Sequence, residues 1–107
     1  MKLARIILPE RDSNNELLVA EHQVLQRRLI DRYNGYTQTK GSGGWRSSTG
    51  KIFKEPVFIY DVAMERADAP SLRALAANTA FDANQECVMI VTPCGDVEFV
   101  KPLDHTA

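Results

Sequence analysis

The chain has 107 residues, with 13 Lys and Arg against 14 Asp and Glu, and a formal net charge of −1. That length holds one domain, expected over residues 1–101 with a loose tail over 102–107, and such a domain buries roughly 65% of its unfolded surface, enough for a core without metal or disulfide staples. A hydrophobic content of 44% and a charged content of 25% are those of a globular protein, and the charge balance gives no sign of a general nucleic-acid or anionic-membrane binder, although a local patch could do that job.

Lys2 to Leu8 is a short apolar run closed by Pro9 and reads as a first strand. It carries Arg5 and is too short for a signal peptide, and no run approaches the roughly 20 apolar residues of a membrane helix, so a cytoplasmic location is expected. Ser13 and Glu16 have the spacing of a capping box, which predicts a helix starting near them. Leu18, His22, Leu25, Leu29 and Tyr33 then recur in fours and threes and share one helical face. Asn34-Gly35 closes that helix by a left-handed cap. Tyr36 to Thr39 predicts a second strand, continuing through Trp45 after a glycine-rich interruption. Ser48-Thr49-Gly50-Lys51 is a hairpin turn, and Ile52 to Val62 the third strand, with Phe58, Tyr60 and Val62 on one face and Val57, Ile59 and Asp61 on the other. Pro56 lacks an amide proton and marks an edge or a bulge there. Asp68-Ala69-Pro70-Ser71 starts a second helix with Ser71 as cap. Its stripe is Leu72, Leu75, Ala76, Thr79 and Ala83, small enough to sit close to a sheet. Cys87 to Val91 is a buried strand, Pro93-Cys94-Gly95-Asp96 a turn, and Val97 to Val100 a short fifth strand.

Strand, helix, strand, strand, helix, strand is the ferredoxin-like βαββαβ order: an α+β fold in which one antiparallel sheet carries two helices on one face. The other face stays open, and the outward residues of the third strand are too apolar for plain solvation. A homo-oligomer, such as a trimer, with sites between subunits is expected.

Gly35 to Glu55 holds the glycines, an aromatic and a carboxylate between scaffold segments, and is the candidate site. Glu55, between Lys54 and Pro56, is either a solvated carboxylate at a strand start or one aimed at an ammonium or sulfonium group. Trp45 is either a core or interface anchor or a stacking platform for a purine or cation. Tyr36 and Tyr60 have the same two readings. Gly41-Ser42-Gly43-Gly44 lacks the Gly-Lys-Ser/Thr ending of a phosphate loop and reads as loop flexibility. Gln85-Glu86 either solvates a helix end or offers a second carboxylate to a neighbouring subunit's site. His22 lies on an apolar face and reads as a packed histidine; with His105 in the tail, no metal site is expected. Cys87 and Cys94 fit a reducing compartment, match no zinc spacing and have no basic neighbour to activate them. Lys40-Gly41 opens an RNA-recognition string and then departs from it.

Taken together, these residues resemble the small bacteriophage S-adenosylmethionine lyases. The resemblance runs from Ile6 to Val91: an apolar first strand, a helix ending at Gly35, Gly44-Trp45-Arg46, Glu55 heading the third strand, and an alanine-rich helix leading into Gln85-Glu86-Cys87-Val88. It implies a trimer of ferredoxin-like subunits in the bacterial host cytoplasm, with sites at subunit boundaries. It also implies cleavage of S-adenosylmethionine to 5′-methylthioadenosine and homoserine lactone without metal or cofactor. On this reading Glu55 is the essential glutamate and Glu86 supports it, with Gly44, Trp45, Arg46, Tyr36 and Gln85 as substrate-binding residues. The family carries tyrosine where this chain has Trp45, and an indole stacks but offers no phenolic hydroxyl. The alternative function is a non-catalytic trimeric binder of a nucleotide-like metabolite, of the kind represented by PII signalling proteins; a third is an interaction module that meets another protein through its open sheet face.

Overall fold

The computed structural model describes residues 1–104. Five strands and two helices follow one another as β1 (Lys2–Pro9), α1 (Val19–Tyr33), β2 (Thr37–Arg46), β3 (Ile52–Met64), α2 (Ala69–Asp82), β4 (Val88–Val91) and β5 (Val97–Val100), with one 3₁₀ turn (Arg66–Asp68) before α2. The strands form a single sheet in the order β2-β3-β1-β4-β5, with every neighbouring pair antiparallel. This is the expected ferredoxin-like arrangement, with β5 added outside β4.

Alternation decides what each strand buries. Ala4, Ile6 and Leu8 of β1, Tyr60, Val62 and Met64 of β3, and Val88 and Ile90 of β4 point to the helices and join Leu25, Leu29, Leu72, Leu75, Ala76 and Ala80 in one core cluster. Fully burying each large side chain contributes roughly 1.5–3 kcal/mol. The small residues of α2 let that helix lie close to the sheet, as their stripe predicts. His22 is buried in the same layer. Its Nε2 lies 2.8 Å from the Pro9 carbonyl and its Nδ1 2.6 Å from the Tyr60 hydroxyl. A carbonyl only accepts, so Nε2 carries the proton, and Tyr60 donates to Nδ1. Gln26 Nε2 in turn donates to the Tyr60 oxygen at 3.2 Å.

The predicted helix boundaries shift for identifiable reasons. Helix α1 begins at Val19 rather than near Ser13, because the Asp12 carboxylate accepts from the amides of both Asn14 and Glu16 at 2.9 Å. The amide a Ser13 cap would need is thereby taken, and the segment closes as a tight loop with Asn15 at φ 64°. At α2, Ser71 is not the cap. Its hydroxyl donates to the Asp68 carbonyl at 2.8 Å and receives a hydrogen bond from Tyr33 at 2.7 Å, fastening α1 to α2. The left-handed closure of α1 is as expected, with Asn34 at φ 68°.

Strand β2 has no glycine-rich interruption. It pairs with β3 without a break from Thr37↔Asp61 to Arg46↔Ile52, so the loop reading of residues 41–44 is corrected: these glycines are strand residues. Pro56 occupies the place where β1 runs out, one step past the Pro9↔Val57 pair, with its carbonyl accepting from Glu10 at 3.0 Å. In a strand a residue's carbonyl and amide point the same way, so the missing proton of Pro56 falls where no regular β1 partner remains. Strand β4 starts at Val88, leaving Cys87 exposed just before it; Cys94 is also exposed, and both thiols are free. Of the expected tail, Leu103 donates its amide to the Ala77 carbonyl at 3.1 Å, and His105 lies outside the described residues.

Candidate functional site

Past the end of β1, β2 and β3 continue as a two-stranded ribbon: Ser42 to Arg46 paired with Ile52 to Pro56, closed by a turn in which Gly50 sits at φ 85°. A positive φ there is the reason a glycine follows Thr49. Directly paired residues share a face, so the ribbon sorts its side chains into two sets. Gly41, Gly43 and Trp45 share one face with Val57, Glu55 and Phe53, and that face is the side of the sheet away from the helices.

On that face Trp45 and Phe53 stack, with ring centroids 5.2 Å apart and planes 16° from parallel. Both stay exposed, Trp45 at 48% and Phe53 at 36%. Two residues along lies Glu55, opposite Gly43. Burial pushes the Glu55 carboxyl above the usual carboxylate range, and among the described residues it has no ion pair or hydrogen bond. Beside it the side chains of Val57 and Ile59 lean over Gly43 and Gly41. A Cβ at Gly43 would come within 3.2 Å of Val57 Cγ1, and one at Gly41 within 3.3 Å of Ile59 Cδ1. The surface is thus an aromatic wall, a carboxylate and a flat apolar floor of Val57 and Ile59. It suits a planar ring stacked on the wall and a cationic group near Glu55.

Farther along the same face, Asp61 is held by Arg5 through two bonds of 2.7 and 3.1 Å. Around this pair the face is apolar: Leu3 is 64% exposed, Val97 55% and Phe99 67%. Two depressions among the described residues bear on the site. One of about 130 Å³ is bounded by Leu3, Ala4, Arg5, Asp61 and Val91. The other, about 350 Å³, lies between the helices beside Arg28, Arg32, Ser71 and Asn78. Neither is lined by Glu55.

The seven residues singled out in the sequence are not gathered in one place. Glu55 and Trp45 share the open face. Gly44 and Arg46 alternate to the other face of the ribbon, where Gly44 faces the Lys54 stem. Tyr36 also faces the helices and packs edge-on against Tyr60, with centroids 5.5 Å apart. Gln85 and Glu86 lie in the link between α2 and β4. Asn84 at φ 53° turns the chain, and the Gln85 amide and side chain bond back to Ala80 and Ala83 at 2.9 and 3.1 Å. Glu86 is exposed. Continuing the β1–β4 register beyond Ile7↔Met89 brings this link to the same end of the sheet as Glu55.

Sequence reasoning missed Phe53 as half of the aromatic wall, and Gly41 and Gly43 as the positions that let Val57 and Ile59 lie flat as its floor. The signal was present: glycines at i and i+2 on a strand bare one face.

No protein-family model and no curated protein matches the chain. Solved structures do. One is a phage SAM lyase in complex with S-methyl-5′-thioadenosine, at TM-score 0.67 and 16% identity, covering 92% of this chain and 88% of that one. Another is a phage SAM lyase in its apo state, at TM-score 0.65 and 17% identity, covering 96% of this chain and 90% of that one. The chain has the fold of these phage enzymes across nearly its whole length, at an identity that establishes the fold alone.

Proposed function

We propose that the protein is an S-adenosylmethionine lyase acting as a homo-oligomer, a trimer on the family pattern, in the cytoplasm of a bacterial host. One observation carries the reading. A partly buried, unpartnered carboxylate stands beside an exposed aromatic wall on a fold shared with a phage SAM lyase bound to a SAM-derived thioether.

The chemistry needs little from the protein. A carboxylate oxygen of the substrate attacks its own γ-carbon, and the carbon–sulfur bond breaks with its electron pair moving to sulfur. The sulfonium becomes the neutral thioether of 5′-methylthioadenosine, and the closed ring is homoserine lactone. No proton, water or metal enters this balance. The protein's work is to fold the substrate into attack geometry and exclude water. In this assignment Trp45 stacks on the adenine, Gly43 and Gly41 admit it, and Glu55 holds the ammonium end. Strong stabilisation of the sulfonium would oppose catalysis, because that charge vanishes in the transition state. Glu86 of a neighbouring subunit closes the open side, and Gln85 positions it. Arg46, Gly44 and Tyr36, all directed to the other face, have supporting rather than contacting roles.

Incubation with S-adenosylmethionine followed by chromatography tests this. Methylthioadenosine and homoserine lactone in equal amounts are expected; unchanged substrate at high enzyme concentration ends the enzymatic reading. Trp45 supports a second reading, a non-catalytic binder, because indole supplies no hydroxyl. Thermal stabilisation by methylthioadenosine without turnover would select it.

A further inference from the structure

The tip of the β2–β3 ribbon has a chemistry the proposed lyase site does not use. Residues 40–54 contain Lys40, Arg46, Lys51 and Lys54 and no acid. Removing those four charges from the net −1 leaves −5 on the rest of the chain. The segregation is spatial as well as sequential. Pairing places Arg46 opposite Ile52 and Lys54 opposite Gly44, so Arg46 and Lys54 are diagonal neighbours on the face turned away from Trp45 and Glu55. Lys51 sits at the turn, its ammonium 5.0 Å from the Phe53 ring centroid. Lys40, nearer the body, is committed to Glu10 at 2.9 Å. Arg46, Lys51 and Lys54 are exposed, and among the described residues none has an ion pair.

We infer that the cationic tip of this ribbon, formed by Arg46, Lys51 and Lys54, docks on the phosphate backbone of nucleic acid. Three observations favour that occupant. Diagonal cross-strand neighbours stand about 7–8 Å apart, a separation comparable to that of successive phosphates on an extended strand. A two-stranded ribbon is narrow enough to enter a groove about 12 Å wide. The acidic remainder of the chain repels a polyanion, which confines contact to the ribbon and orients the approach. Ser42 and Gly44 between the cations add no bulk to block it. The net charge of the whole chain hides this patch because the two parts nearly cancel. Arg46 and Lys54 lie on the face opposite the proposed lyase site, and Lys51 borders that site at its edge, over Phe53.

The test is fluorescence anisotropy with the full chain and two fluorescein-labelled probes: a single-stranded oligothymidylate and a DNA duplex of the same length. Three phosphate contacts predict binding near 10–100 μM at low salt. They also predict a slope of log affinity against log salt of about −2 for the single strand and about −2.7 for the duplex. Affinity for the single strand then falls roughly fifteenfold between about 50 and about 200 mM salt. The exposed double variant Lys51→Glu, Lys54→Glu should weaken both probes at least about tenfold, as expected for two reversed phosphate contacts, with an unchanged circular-dichroism melting curve. Absence of binding at low salt, or binding indifferent to salt or to the double variant, overturns the proposal. So does a change in the variant's sedimentation coefficient with neither probe binding, because the cationic face would then meet a second copy of the chain.

Discussion

On the helix-covered side of the sheet, Ile6, Leu8, Tyr60, Val62 and Ile90 are buried, and both ring nitrogens of His22 have partners. On the other side, Leu3, Phe53, Val97 and Phe99 are exposed, and Glu55 is partly buried with no ion pair among the described residues. The same strands supply both faces by simple alternation. The first face is closed by its own chain, with apolar groups packed and polar groups bonded. The second has groups that burial or a bound cation would satisfy, and the described residues provide neither. A fold that spends its two helices on one face leaves its functional capacity on the other.

The contrast can be broken most strongly at its closed side. Leu25→Ala removes a fully buried side chain and should cost about 2–5 kcal/mol in chemical unfolding. On the open side, Glu55→Gln keeps the shape and removes the charge. A loss of turnover of about 100-fold or more is expected, as when a contact that positions the substrate is lost, with unchanged sedimentation. Wild-type turnover should also fall on acidification at a pH above the ordinary carboxylate range, because burial raises the Glu55 carboxyl. Equal turnover of the two proteins would remove Glu55 from the site.

Smaller effects sharpen the comparison. Tyr60→Phe deletes the donor to His22 Nδ1 and should cost about 1–3 kcal/mol, measured by urea titration. Burial lowers the His22 pKa from its ordinary 6.5. Below 6.5 the unfolded chain therefore takes up the proton first, and stability falls as pH drops through the folded value. Glu10, paired with Lys40, titrates below its ordinary 4.5 and loses its contribution only at lower pH. Glu55 acts in the opposite sense, since protonation relieves its burial. Unfolding midpoints between pH 7 and about 5 in the Glu55→Gln background therefore isolate His22, and His22→Gln should flatten the slope. The smallest effect belongs to Phe99→Ser on the open face, which should change subunit stability by no more than about 0.5 kcal/mol. A larger change, or a smaller sedimenting species, would show that another copy covers that face.

Local chemistry made much of the scaffold legible. The threes and fours of α1 are readable because a helix against a sheet must be apolar on one stripe. Asn34 is readable because few other residues accept a left-handed cap. The third strand's faces follow from alternation alone. What escaped was competition between neighbours. Ser13 and Glu16 have cap spacing, yet Asp12 captures the Glu16 amide first. Ser71 looks like a cap, yet Tyr33, 38 positions away, turns it into a fastener between helices. Gly41, Gly43 and Gly44 read as a loop, yet pairing with β3 holds all three in a regular strand.

The sequence by itself determined the element order, the core stripe of each helix and the prominence of Trp45 and Glu55, because these depend on periodicity and residue chemistry within a few positions. Only the tertiary structure decided that Trp45, Phe53, Gly43 and Glu55 share a face while Arg46, Gly44 and Tyr36 turn from it. Facing depends on cross-strand register, and a shift of a single residue would exchange the two sets.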